Sequence, residues 1–482
     1  MKSIVSMFAL AALLLSGACG PSAGADDGDD DSDGDAGQPD AYTGPVGTIS
    51  GTVWAPGNAP GMVPATHEIP IFGAVAYLSL QPPPPIPQRV HCEQCVDPPG
   101  KAVFTDHYGN FTIPNIQPNT YWLVIQKGQF RLEQEIIVGE NANLQLPATQ
   151  TTLPSVHDPD NGQWVPRIAI ASGFWDHIED ILGKMKLGAV DSAGVFIGNT
   201  AAGVFDLYSN GGRTDDSAIM PLSELFQITS GTLDGGDIEG PMMDYHIIFI
   251  PCSTQTFGGS GLSGAPLETL QAIRAYVAAG GKLYVTDWSG EWSDNIFPEQ
   301  LRFASDHDTP ASAWNEATQS WNTGQFNSAD GFSSTEADHA RAVDDDLNTW
   351  LDGQVGPIVL PDFGGYGQGT FDADNFVVEG KYDFIEELVS VYVGDDDKGF
   401  PIYDEPHAYV IGDEGGTPAT CTGTGAGCSP FTVTFEPTGC GRVLYSTYHT
   451  ADNDHVGLVP QERVLLYLIM EIGVCKSGPI IN

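Results

Sequence analysis

The sequence predicts a multidomain protein in which a β-sandwich is followed by an α/β three-layer domain with a long insertion. The chain has 482 residues, more than one ordinary core accommodates. Residues 47–150 form short runs rich in β-branched and aromatic side chains, separated by turn residues, which is typical of a sandwich. In residues 164–476, apolar strands alternate with helical patterns, which favours a parallel sheet covered by helices.

The first residues have the features of an exported lipoprotein. Lys2 precedes an apolar run over 4–15, long enough for a signal peptide and too short to span a bilayer. Small residues then lead to Cys19, in a stretch that resembles the lipobox of bacterial lipoproteins. This resemblance implies a signal peptide over 1–18, lipidation of Cys19 and attachment to the cell envelope, as an outer-membrane lipoprotein that is periplasmic or surface-exposed.

The charge of the chain is strongly negative, with 63 acidic residues against 18 basic ones and a formal net charge of −45. Phosphate backbones need a basic surface, so this composition excludes nucleic acid as a partner. Membrane contact is expected through the N-terminal lipid alone. Residues 19–46 contain an acidic run without apolar periodicity and are predicted to be a disordered tether.

Seven cysteines remain after Cys19, and in an oxidising compartment most of them should pair. The pairs that are close in sequence are Cys92 with Cys95, Cys421 with Cys428, and Cys440 with Cys475, which leaves Cys252 as the odd thiol. This pairing is a hypothesis, because connectivity cannot be deduced from spacing.

Within the predicted sandwich, one stretch has a recognisable pattern. From Asp106 onward it follows D-x-x-G-x-F-x-I-x-x-I-x-P, and a strand begins near Thr120. This stretch resembles the carboxypeptidase regulatory-like (prealbumin-like) domain. The resemblance implies a sandwich that serves as a spacer or binding module and carries no chemistry of its own.

The α/β region contains four predicted strands, at 167–173, 245–251, 282–287 and 441–447, and helices at 176–187, 267–279 and 460–472. These segments resemble the class I glutamine amidotransferase-like superfamily, and its ThuA-like members most. The resemblance implies a flavodoxin-like parallel sheet, in which ligands bind beyond the carboxyl ends of the strands. Residues 303–427, rich in Asp, Gly and aromatics, are predicted to be an insertion.

Three residues are candidates for a thiol hydrolase: Cys252 as nucleophile, His449 as base and Glu462 as the orienting carboxylate. The amidotransferase nucleophile, however, sits in a Gly-x-Cys-x-Gly turn, whereas Cys252 is flanked by Pro251 and Ser253. The family's histidine is followed by Pro-Glu, and Thr450 follows here. A structural thiol is therefore the preferred interpretation, with an extracytoplasmic hydrolase as the alternative.

Non-catalytic binding of carbohydrate or another surface component is the preferred function. The expected binding residues lie at predicted strand ends: Asp287, Trp288, Glu291 and His449. Tryptophan beside acidic side chains suits sugars, which present apolar faces and hydroxyl groups. A purely structural envelope protein is a further alternative.

A metal site is also considered. Asp452, Asp454 and His455 follow the last predicted strand, where carboxylates could hold calcium or a metal ion could assist hydrolysis. Solvated surface charge is the simpler interpretation in so acidic a chain. The glycine motif at 259–264 has the dinucleotide-binding spacing, but it begins well beyond the preceding strand, so a surface loop is preferred.

Overall fold

The computed structural model describes sixteen segments of the chain: residues 42–92, 101–198, 204–212, 219–231, 238–253, 267–294, 296–303, 314–315, 320–321, 337–354, 372–381, 383–395, 398–413, 428–437, 440–451 and 454–472. One compact unit spans Pro45–Asn482. The described part is mostly β-sheet, in several sheets, with few helices. Cys19 and the predicted signal peptide lie outside the described residues, and among those described no helix is long and apolar enough to cross a membrane.

The first eight strands form two sheets. They are β1 (Gly47–Thr52), β2 (Val75–Ser79), β3 (Ala102–Phe104), β4 (Asn110–Ile116), β5 (Asn119–Lys127), β6 (Phe130–Val138), β7 (Asn143–Gln145) and β8 (Gln163–Trp164). One sheet has the order β4-β1-β7 and the other the order β3-β2-β5-β6-β8. Inward side chains of both sheets, such as Ile49, Ile113 and Leu123, are fully buried.

The Asp106 motif makes the turn before β4. The Asp106 carboxylate accepts hydrogen bonds from the backbone N–H groups of Tyr108 (3.0 Å) and Asn110 (2.8 Å). Gly109 has φ +74°, and a Cβ there would lie 2.7 Å from the Val53 carbonyl oxygen. Glycine is therefore required at this position, which explains the fixed spacing between the two motif residues.

The remaining elements follow in chain order. They are β9 (Ile168–Ser172), α1 (Ile178–Lys184), β10 (Ala189–Val190), β11 (Phe196–Gly198), β12 (Phe205–Ser209), β13 (Met220–Pro221), α2 (Leu222–Leu225), β14 (Ile247–Ile250), α3 (Leu267–Ala278), β15 (Lys282–Thr286), α4 (Glu291–Asp294), β16 (Leu301–Phe303), β17 (Trp314–Asn315), β18 (Ser320–Trp321), β19 (Ala337–Ala342), α5 (Asp345–Asp352), β20 (Phe376–Glu379), β21 (Ile385–Leu388), β22 (Val391–Asp395), β23 (Pro401–Asp404), β24 (His407–Asp413), β25 (Cys428–Phe435), β26 (Arg442–Ser446) and α6 (Pro460–Ile472).

Ten of these strands form one sheet, in the order β13-β12-β9-β14-β15-β26-β25-β24-β19-β20. The first six are parallel to one another, and the last four are paired antiparallel. The predicted insertion over 303–427 thus contributes β19, β20 and β24 to the main sheet. The same segment forms the hairpin of β22 and β23, and β21 pairs with β16.

Both faces of the parallel strands are buried. Alternate residues of β9 and β14 enter two different cores: Ile168 and Phe249 lie in one, Ala169 and Ile248 in the other. Helices α1 and α6 cover the first face and α3 covers the second. Strands buried on both faces are continuously apolar, because neither set of alternating side chains meets water. The core under α6 also includes inward residues of β1 and β4, so it continues into the first two sheets.

Residues 87–92, here called the strap, cross the sheet at the amino ends of its strands. His246 Nε2 donates to the Pro87 carbonyl (2.7 Å), and the Val90 N–H donates to the Met243 carbonyl (2.9 Å). A disulfide then joins Cys92 to Cys440, with Cα atoms 5.6 Å apart. Through this bond, the strap connects the first two sheets covalently to Cys440, which lies two residues before β26.

This disulfide corrects the expected cysteine pairing. Cys92 does not pair with Cys95, nor Cys440 with Cys475, because the two cysteines share one bond across 348 residues of sequence. Cys428 is disulfide-bonded, as expected, but its predicted partner Cys421 lies outside the described residues, as do Cys95 and Cys475. The expectation that Cys252 is a free thiol is confirmed.

Candidate functional site

The carboxyl ends of β9, β14, β15 and β26 meet at one edge of the sheet, and polar side chains follow each strand. Asp176 lies four residues beyond β9, Cys252 follows β14, Asp287 follows β15 and His449 follows β26. In an open parallel sheet, this edge is where ligands bind.

Asp176 connects these strand ends and is fully buried. Its Oδ2 accepts a hydrogen bond from Thr286 Oγ1, and its Oδ1 accepts from the Thr450 N–H at 3.0 Å. Thr286 Oγ1 in turn accepts from the Cys252 N–H at 2.8 Å. One carboxylate thus holds together the segments that follow three different strands, which fixes the shape of the edge.

A small cavity lies beside Asp176, with room for about one water molecule. It is lined by Asp176, Ile178, Tyr284, Thr286, Tyr448, His449, Thr450, Gln461, Glu462 and Leu465. The structure therefore brings His449 and Glu462, two of the three hydrolase candidates, to a common cavity. Asp176, which sequence reasoning did not single out, is the third carboxyl-bearing or imidazole side chain there.

The His449 ring is held in a fixed orientation. Its Nδ1 donates to the Thr450 carbonyl at 2.6 Å, so in the neutral ring Nε2 carries the lone pair. Gln461 Nε2 donates to the His449 carbonyl at 2.6 Å. On one side the ring packs directly on Gly380, where a Cβ would overlap its atoms.

Glu462 is engaged in a buried charge cluster. Its Oε2 lies 2.9 Å from His455 Nε2 and 3.4 Å from Lys184 Nζ. Burial alone would raise the pKa of Glu462, but Lys184 and His455 together lower it below its usual value. The carboxylate is thus paired with Lys184 and His455, a different role from the orientation of His449 that a hydrolase would need.

The same charge cluster includes His455, one of the residues predicted to bind a metal ion. Lys184 Nζ lies 3.0 Å from His455 Nε2 and Glu462 Oε2 lies 2.9 Å from it, so this ring nitrogen already faces two side chains. Asp454 is exposed, and Asp452 lies outside the described residues. In the described segments, no group of three or more His, Cys, Asp or Glu residues is arranged to hold a metal ion.

Cys252 has the environment of a protonated thiol. It is 1% exposed, and burial raises its pKa well above the usual value, with further increases from the charges of Asp287 and Asp176. A nucleophilic cysteine needs the opposite, a lowered pKa and an accessible sulfur. This environment favours a structural role for the thiol.

Of the expected binding residues, Asp287 and Trp288 lie beside this thiol. Asp287 is fully buried and has φ +46°, an uncommon conformation for a residue with a side chain. The Tyr445 hydroxyl lies 3.1 Å from the Asp287 carbonyl and 2.5 Å from Asp383 Oδ2. Glu291 is buried as well, whereas Trp288 is partly exposed. Asp287, Glu291 and His449 are thus buried at this edge, and Trp288 is the partly exposed member of the set.

The surface of this edge carries two aromatic residues that sequence reasoning missed, Phe174 and Trp175, here called the aromatic platform. They are 52% and 48% exposed, and their ring centroids are 4.6 Å apart. Gly173 precedes them, and a Cβ there would lie 2.3 Å from the Cys252 carbonyl oxygen, so only glycine fits where the chain leaves β9 beside Cys252. In the sequence, this site could have been found from two large aromatic residues that come just after a strand predicted to be buried.

No family model matches the sequence, and no curated protein matches it. Structural similarity is low throughout. A cytoplasmic protein of Salmonella typhimurium is 12% identical at a TM-score of 0.27, covering 65% of this chain and all of its own. A protein of Parabacteroides merdae described as ThuA-like is 11% identical at a TM-score of 0.28, covering 66% of this chain and 92% of its own.

A cohesin–X-dockerin complex of Acetivibrio cellulolyticus is 17% identical at a TM-score of 0.16, over 33% of this chain and 87% of its own. One of these neighbours is thus described as ThuA-like. The similarities are too low to assign the chain to a family.

Proposed function

We propose that this chain is a lipid-anchored protein of the cell envelope that binds carbohydrate without altering it chemically. In this proposal Cys19 carries the lipid and residues 19–46 form the tether. The first two sheets act as a prealbumin-like spacer, and the flavodoxin-like α/β region carries the binding site. The proposed binding site does not include a calcium ion.

The observation that carries the proposal is the aromatic platform at the carboxyl edge of the parallel sheet. Phe174 and Trp175 present about half of their surfaces to solvent, although large aromatic side chains are usually mostly buried. They are followed directly by Asp176, whose hydrogen bonds fix the segment. A rigid aromatic surface beside polar groups suits the apolar face and hydroxyl groups of a sugar.

The proposal is tested by titrating the purified chain with uncharged oligosaccharides and measuring the heat of binding by calorimetry. Trp175→Ala is expected to weaken binding roughly two- to tenfold, because an aromatic contact contributes about 0.5–1.5 kcal/mol. Tyr108→Ala is the matched control, since Tyr108 is 59% exposed and lies outside this edge. Equal binding by all three proteins, or no response to any sugar, would contradict the proposal.

A hydrolase is the second candidate, favoured by the cavity that gathers Asp176, His449 and Glu462. It would require Cys252 to be reactive or the cavity to activate water. The buried thiol and the pairing of Glu462 with Lys184 both count against it. A structural envelope protein, the third candidate, leaves the exposure of the platform without a role.

A further inference from the structure

The hairpin of β22 and β23 is exposed and rich in aromatic residues. Tyr392 is 54% exposed, Val393 54%, Phe400 65% and Tyr403 51%. Tyr392 and Tyr403 are directly opposite each other across the two strands, with ring centroids 5.9 Å apart. Tyr392 Oη donates to Asp395 Oδ1 at 3.0 Å, which orients its ring. Large exposed apolar patches are common at interaction sites, and Tyr392 and Tyr403 together present such a surface on one face of the hairpin.

The backbone of the hairpin is also available for pairing. Among the described residues, β22 and β23 pair only with each other and join no larger sheet. The outer edge of a hairpin strand is the place where the N–H and C=O groups of a further strand can pair. Addition of an extended peptide to such an edge is a common mode of recognition, in which the backbone gives affinity and the side chains give specificity.

The charge of the hairpin indicates the kind of peptide. Its described residues include Asp395, Asp404 and Glu405, against Lys398 as the basic residue. The whole chain carries −45, so an acidic partner would be repelled. Tyrosine faces beside carboxylates attract Lys and Arg, through the ring quadrupole and through the opposite charge.

We propose that this hairpin docks an extended, Lys- or Arg-rich polypeptide segment of a partner protein as an additional strand. The proposal is independent of carbohydrate binding, since the hairpin shares no residue with the aromatic platform. It gives the anchored chain a second role, attachment to a basic protein. A neutral glycan bound by the same tyrosines is the rival occupant, and the experiment separates the two.

The probe is a synthetic peptide of alternating Lys and Thr, long enough for one strand of about six residues, compared with Gln-Thr and Glu-Thr peptides of equal length. Calorimetry with the purified chain is expected to detect the Lys-Thr peptide alone. Its affinity should fall as salt is raised. Amide exchange in 391–395 or 401–404 should slow when it binds.

Two variants locate the binding. Tyr403→Ala should weaken binding of the Lys-Thr peptide about two- to fivefold, as expected for an exposed cation–π contact. Phe104→Ala, at a 69% exposed residue of β3, should leave it unchanged. If Tyr403→Ala lowers the melting temperature, Asp395→Asn replaces it and should weaken binding similarly.

Binding that is unaffected by either hairpin variant would overturn the proposal, because it would reflect attraction to the acidic surface as a whole. So would failure of the Lys-Thr peptide to bind together with binding of a neutral glucan that Tyr403→Ala removes. Retained sugar binding at the platform with no peptide binding would overturn this inference and leave the proposed carbohydrate function intact.

Discussion

Cys252 shows how a residue's surroundings decide its chemistry. Sequence alone left it open whether this cysteine, following a buried strand, is a nucleophile or a structural thiol. Its burial and the nearby charges of Asp287 and Asp176 disfavour the thiolate. The burial of Cys252, and after it the charges of two side chains distant in sequence, separate the two interpretations. Neither could be read from the residues beside Cys252.

The raised pKa of Cys252 predicts slow alkylation at neutral pH and a specific dependence of stability on pH. Because the folded pKa lies above the unfolded value of about 8.5, the folded chain retains the thiol proton as pH rises. The stabilisation is complete below about pH 8.5 and is lost as pH rises toward the folded pKa. The measurement is the unfolding free energy of the wild type minus that of Cys252→Ala, between pH 7 and about 9.5. A flat difference would contradict the raised pKa, and rapid labelling that His449→Ala abolishes would support the hydrolase instead.

Among the elements, α1 and α6 are connected by the cluster of Lys184, His455 and Glu462. Lys184 is in the last turn of α1, and Glu462 is in the first turn of α6. Both are nearly inaccessible to solvent. A buried charge is stable only when it is paired. The cluster therefore fixes α1, and with it the segment from the aromatic platform to Asp176 that precedes the helix.

Lys184→Met is expected to destabilise the fold by about 3–5 kcal/mol, because it leaves the Glu462 carboxylate buried without its ammonium partner. The double variant Lys184→Met/Glu462→Gln removes both charges and should recover part of that loss. Urea unfolding of the wild type, both single variants and the double variant measures the coupling. Additive losses would show that the two side chains do not interact.

The central elements could be predicted from the sequence because their patterns are local. The strands at Ile168–Ser172, Ile247–Ile250, Lys282–Thr286 and Arg442–Ser446, and helix Pro460–Ile472, lie within the expected bounds. The contribution of 303–427 to the sheet could not be predicted. Strands β19 and β20 belong to the same sheet as β24, which is far from them along the chain. The sequence pattern of a short antiparallel strand does not indicate which other strand it pairs with.

At the scale of the whole molecule, the strap and its disulfide connect parts that are far apart in sequence. The first two sheets share a buried core with α6, and Trp350 Nε1 donates to the Pro70 carbonyl at 2.8 Å. The Cys92–Cys440 bond adds a covalent connection at the amino ends of the parallel strands. Three-dimensional proximity, and not spacing in the sequence, determined this pairing, which is why the local pairs expected for these cysteines were wrong.

Replacing both cysteines, as Cys92→Ser/Cys440→Ser, is expected to lower the free energy of unfolding by about 2–4 kcal/mol, since the crosslink restricts the unfolded chain. Thermal unfolding under non-reducing conditions measures the loss. Cys252→Ser serves as the control for changing a cysteine that forms no disulfide. An unchanged melting temperature in the double variant would show that the noncovalent contacts of the strap suffice.

The order of the strands also has a consequence for the synthesis of the chain. Strand β26, one of the last elements to be made, lies between β15 and β25 in the middle of the ten-stranded sheet. A ribosome that stops before residue 442 therefore removes a central strand and not an edge, leaving β15 and β25 as two open strand edges. Such edges are prone to aggregation, so nonsense mutations late in the gene are as damaging as early ones.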